Sequence, residues 1–236
     1  MKVLKFALIA STLFFAPSIQ IANAETKRNA QTSYRADPQY EFMVRAATSK
    51  RSDTFRFGRF RMLYAETSQY DPIGEDIIEQ MQKLAFTVQN SKDEDSAREA
   101  LDDYRALVME HMANLRIIVQ AQAFATIDQR FGSPDFFLWL RRGIMRNVLD
   151  SGDGNKLRSA YRIITLAEEE ALMTQLGFRI VDTKSAEEGV YHYNMHDAED
   201  LRNGQINTVF VDTSTPLEFL EKNQEERAKT IDIKRQ

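Results

Sequence analysis

The apolar residues of this chain change their spacing once, near Gly154, and that change constrains the fold more than any motif does. Before it they recur at steps of three and four, the period of an amphipathic helix; after it they tend to alternate, the period of a half-buried strand. A chain patterned in this way is expected to build an α+β domain. Helical hairpins or a bundle come first, over residues 53–151, and a small antiparallel sheet with one or two helices follows, over 155–220.

Within the helical section Phe57, Phe60, Arg61 and Tyr64 mark a first helix, closed by the turn Tyr70-Asp71-Pro72. Ile77, Ile78, Met81, Leu84, Ala85 and Val88 form the stripe of a second, and Ala97, Leu101, Tyr104 and Val108 that of a third. Asn114 is a good N-cap and splits a fourth helix from the third. The fifth has the clearest start: Ser133 as cap, Pro134 in the first turn and Asp135 where the helix dipole favours an acid. Starts near 75, 95, 114 and 134 suit short antiparallel hairpins, either tetratricopeptide-like or as a plain bundle.

In the second section Ala160–Thr165, Phe178–Val181, Gly189–His196 and Ile206–Val211 read as strands, and Leu166–Leu176 reads as a helix closed by Gly177. Short segments separated by turns favour antiparallel pairing. Thr215-Pro216 begins a short helix, and residues 221–236 form a charged tail expected to be solvated.

The amino terminus carries its own signal. Lys2 and Lys5 precede an apolar run from Phe6 to Ala16, Pro17 breaks it, and Ala22-Asn23-Ala24 is a small-x-small cleavage site. Residues 1–24 therefore read as a signal peptide cleaved after Ala24, which places the protein in the periplasm or outside the cell with no stable membrane span after cleavage. Residues 25–52 read as a polar, flexible leader containing Pro38. Losing Lys2 and Lys5 from 31 basic residues leaves 29 against 35 acidic ones, a net charge of about -6 that argues against a nucleic-acid partner. The chain has no cysteine, which excludes a lipid anchor on sulfur, thiol catalysis and thiolate metal sites.

No familiar catalytic motif is present, so no catalytic residue, metal or cofactor is expected. His192 and His196 lie four apart on a strand, about 13 Å from one another, too far to share an ion; an exposed polar sheet face explains them. Asp150-Ser-Gly-Asp-Gly-Asn155 lacks the spacing of a calcium or phosphate loop and reads as a glycine-closed helix end followed by a tight turn. Glu168-Glu169-Glu170 sit at a helix start, where the dipole and solvent account for them.

Five segments in order, Phe60–Pro72, Ser151–Gly154, Ala160–Ile164, Glu168–Leu172 with Leu176-Gly177, and Val209–Asp212, resemble a family of exported bacterial proteins known as domain of unknown function forty-nine nineteen. The resemblance implies export and a helix-then-sheet architecture, and no reaction. Two functions follow as expectations. One is a non-catalytic binding module whose groove takes a peptide, an envelope protein or a small polymer. The other is an envelope hydrolase, or another enzyme with an unfamiliar site. Tyr64, Tyr70, Asp150, Gly152, Asp153, Gly154 and Asp212 are the candidate binding positions.

Overall fold

A computed structural model describes residues 37–233, with side chains as far as Asn223. The expected signal peptide and residues 25–36 of the leader lie outside the described residues. The architecture is α+β, helices first and a small sheet after.

The helical section opens earlier than its sequence suggests. Helix α1, Asp37–Ser49, occupies ground read as flexible leader and buries Tyr40, Val44 and Ala47 on one face. Pro38 sits in its first turn, where a missing N–H removes no intrahelical bond. Tyr40 stacks on Phe60 of α2 (Phe57–Ala65) at 5.3 Å between ring centroids, which ties this helix into the core.

Helices α3 (Glu75–Asn90) and α4 (Glu94–Glu110) pack as a hairpin, as do α5 (Leu115–Ile127) and α6 (Pro134–Leu149). Asn114 caps α5 as expected, its side-chain oxygen accepting from the backbone N–H of Arg116 at 2.9 Å. Ser133 has the extended backbone of an N-cap, yet its hydroxyl makes no capping bond. Phe137, Leu140, Ile144 and Val148 form the buried face of α6; full burial of such side chains is worth about 1.5–3 kcal/mol each.

After α6 the chain makes one 3₁₀ turn, Leu157–Ser159, and enters the sheet. Its strands are β1 (Tyr161–Arg162), β2 (Phe178–Glu188), β3 (Tyr191–Asp200) and β4 (Ile206–Asp212), in the order β1-β4-β3-β2. The β2, β3 and β4 strands pair antiparallel, but β1 joins β4 in parallel, so the sheet is mixed rather than purely antiparallel. That strand is also shorter than the expected Ala160–Thr165, because Ile163 and Ile164 turn into the interior. The β2 strand runs seven residues beyond Val181 and carries a bulge between Ile180 and Asp182.

Helix α7, Glu168–Leu176, lies between β1 and β2 in sequence, and α8 spans Ser214–Ile233. The helix thus continues through most of the segment read as a solvated tail. A large apolar cluster fills the helical section, and a smaller one gathers Val148, Ile163, Leu172, Ala198, Val209 and Val211 under the sheet. Met145 of α6 packs against both.

Candidate functional site

Tyr64 and Tyr70, two of the expected binding positions, are core residues. The Tyr64 hydroxyl lies 2.7 Å from His111 Nδ1, and the Tyr70 hydroxyl donates to the Ile164 carbonyl. Burial pushes both phenols well above their ordinary pKa; for Tyr70 the nearby Glu168 carboxylate adds to the rise. The turn after Tyr70 is structural as well. Asp71 Oδ1 accepts from the N–H groups of Ile73 and Gly74 at 2.9 and 3.0 Å, while the Pro72 carbonyl accepts from Leu166 N–H at 2.7 Å.

The acidic run at the start of α7 divides by burial. Glu168 is not a solvated dipole partner but fully buried: its Oε2 accepts from Arg61 Nη2 at 3.0 Å and from Ile164 N–H at 2.8 Å, and its Oε1 accepts from Leu115 N–H at 3.1 Å. One carboxylate thus ties α2, the start of α5 and the segment before α7 together. Glu169 reaches the sheet, where Asn194 donates to it at 2.7 Å. His196, expected on an exposed face, is buried because α7 covers that face. Its Nδ1 is 2.9 Å from Thr183 Oγ1, and its Nε2 lies 3.1 Å from Glu169 Oε2 without the alignment of a hydrogen bond.

The Ser151–Gly154 loop folds inward on its own backbone. The N–H groups of Asp153 and Gly154 both donate to the Ser159 carbonyl, at 2.9 and 2.8 Å, so neither is left for an anion. Asp153 Oδ1 accepts from the Ser159 hydroxyl and from Asn155 N–H, and these bonds hold its carboxyl below the usual range. Gly152 sits where a Cβ would come within 2.2 Å of the Ser159 carbonyl oxygen. Gly154 has φ +69° and faces the Tyr161 ring. The glycines serve close backbone packing and a left-handed turn.

Asp150 is exposed and Asp212 is buried, and the two border different recesses. The smaller, of about 400 Å³, includes Ser151, Arg162, Tyr191, Tyr193 and Asp212. Asp212 accepts from Arg162 Nε at 3.2 Å and from Ser214 N–H at 3.0 Å. Both its oxygens are engaged, an arrangement suited to holding the geometry of the β4–α8 junction. Burial and the Asp212 carboxylate raise the pKa of Tyr193.

The larger recess, of about 720 Å³, is a groove between α6 and the 51–58 segment that leads into α2. Along α6 its wall is set by Asp135, Trp139, Arg142, Arg146 and Asp150, successive at three- and four-residue steps. Arg51 and Asp53 stand on the opposite side with Phe55 and Phe57. The Trp139 ring is held edge-on by Phe55 and Phe57, at 5.5 and 5.2 Å between centroids. Phe57 in turn fills a notch at Gly143, where a Cβ would lie 2.1 Å from the ring. At the deep end Asn147 Oδ1 accepts from Arg61 Nη1 at 3.0 Å, which links the groove to the buried carboxylate.

None of the guanidiniums of Arg51, Arg142 and Arg146 forms an ion pair among the described residues. Asp53, Asp135 and Asp150 are likewise unpaired there. Of the residues facing this groove only Asp150 is among the binding positions expected from the sequence, while Phe57 and Asp135 are read there as helix residues. The missed signal was a second stripe on α6, polar and aromatic, running beside the apolar one.

Among the described residues no group of three or more histidines and carboxylates is placed to hold a metal ion, and no helix is long and apolar enough to cross a membrane. No family model, no curated protein and no solved structure matches the chain.

Proposed function

We propose that this chain is an exported, non-catalytic binding protein of the uncharacterised family it resembles, and that its ligand lies in the groove along α6. The observation that carries the reading is the set of three arginines facing one groove with no carboxylate partner among the described residues. Surface cations of a folded protein gain little from being left beside one another, and Arg142 and Arg146, one helical turn apart, repel by about 0.2–0.5 kcal/mol. A ligand that engages them removes that cost. The aromatic floor supports the same reading, since grooves that bind combine apolar rings with a few placed polar groups.

The test begins with export: the protein recovered from the periplasm of an expressing host should start at Glu25 by amino-terminal sequencing. Immobilised, it should retain a component of an envelope extract, and the doubly substituted Arg142→Gln/Arg146→Gln protein should not. A folded, monodisperse protein that retains nothing, or a component retained equally by both, counts against the groove.

A further inference from the structure

We infer that the groove along α6 takes an acidic oligosaccharide, its carboxylates set against Arg51, Arg142 and Arg146 and its rings against Trp139; this rests on the binding reading above. The charge order along α6 is the starting point. Asp135 lies at one end, then come Trp139, Arg142 and Arg146, and Asp150 lies at the other end. The centre is cationic and the ends are anionic, over a rise of about 22 Å at ~1.5 Å per residue. A compact anion would use the centre alone. A ligand that runs the length must carry its negative charge on an otherwise neutral, hydrogen-bonding chain.

A sugar chain fits that description better than a peptide does, because of the walls. One wall is a helix whose interior N–H and C=O groups are committed to one another. Among the residues facing this groove there is no strand edge, so an extended peptide would find no ladder for its backbone amides. Sugar hydroxyls donate and accept at once, and they suit the carboxylates of Asp53, Asp135 and Asp150 as acceptors and guanidiniums as donors. The planar guanidinium also matches a carboxylate with two parallel hydrogen bonds. Trp139 supplies a broad ring already packed against the adjoining Phe55 and Phe57, so little ordering is lost when a pyranose face meets it.

Trp139 is the one tryptophan of the chain, so its emission reports on the groove. The exported protein is titrated with three probes: a tetramer of galacturonate, a neutral maltotetraose and a hexaglutamate peptide, each followed by emission and calorimetry. The inference expects the uronate tetramer to change the emission, and to bind about tenfold or more tighter than the neutral tetramer, with affinity falling as salt rises. Arg142→Gln/Arg146→Gln, checked for native circular dichroism, should lose that preference; Trp139→Phe should weaken both sugars when followed by calorimetry. Equal binding of the two sugars, or no binding of the uronate, overturns the inference. Hexaglutamate binding more tightly, and lost in the arginine variant, overturns the sugar class while the groove stands. If the envelope component is also retained regardless of those arginines, the groove reading falls too.

Discussion

Arg61 and Glu168 form a 3.0 Å ion pair across 107 residues of chain, with both side chains shielded from water. The pair joins the helical section to the start of α7, and its remaining acceptor capacity is used by the backbone N–H groups of Leu115 and Ile164. A buried pair of this kind gives little net stability relative to apolar packing, yet breaking it from one side is costly.

Glu168→Gln should therefore destabilise the protein by about 3–5 kcal/mol, since the Arg61 charge stays buried without its counter-ion. Glu168→Ala should cost more, because it also orphans two backbone N–H groups at about 1–3 kcal/mol each. Urea denaturation followed by circular dichroism ranks the two, and unfolding midpoints equal to that of the parent would refute the hub.

Gly143→Ala sets two effects against one another. Alanine improves an exposed helix interior by about 0.8–1.0 kcal/mol over glycine. Here the new Cβ would meet the Phe57 ring at 2.1 Å and drive it out of its notch. The expected outcome is a less stable protein with red-shifted tryptophan emission, as Trp139 loses an edge contact. A stabilised variant with unchanged emission would contradict this packing.

Gly152→Ala and Gly154→Ala should differ in severity. At Gly154 the penalty is a left-handed backbone, about 1–2 kcal/mol, plus pressure on the Tyr161 ring, which can swing. At Gly152 the obstacle is the Ser159 carbonyl oxygen at 2.2 Å, which is backbone and cannot. Thermal unfolding should place Gly152→Ala below Gly154→Ala.

Asp200 governs an acid-side dependence. The Arg202 guanidinium and backbone N–H hold its carboxyl down at about 2. A depressed pKa adds stability above the unfolded value of about 3.9 and surrenders it as pH falls toward the folded value. The stability difference between the parent and Asp200→Asn should thus be constant from pH 7 to about 5 and shrink between about pH 4 and 2. A difference independent of pH would exclude this role.

Much of the fold was legible because it rests on local signals. The Asn114 cap, the Pro134 start of α6 and the apolar stripes each follow from residues within a turn or two. Helix α1 escaped notice because only Tyr40, Val44 and Ala47 of its thirteen residues are buried, too thin a stripe to stand out beside Pro38. The far half of β2 escaped because Asp182–Glu188 is nearly all exposed and has no apolar alternation; its pairing with β3 makes it a strand. Glu168 looked like its neighbours Glu169 and Glu170, and nothing local marks the arginine more than a hundred residues away that draws it inside. The groove residues were equally silent, since a polar stripe on a helix is the ordinary solvent face until a second segment closes over it.

The bulge in β2 has a consequence beyond this chain's own fold. As the outermost strand, β2 has one edge that no other strand among the described residues pairs with, an invitation for a neighbouring molecule to add one. The kink after Ile180 spoils the flat template, and Arg179, Asp182, Lys184, Glu187 and Glu188 load the same strand with charge of both signs. A molecule without cysteine cannot lock itself closed with disulfides, and here the sheet margin itself discourages the first step of runaway self-association.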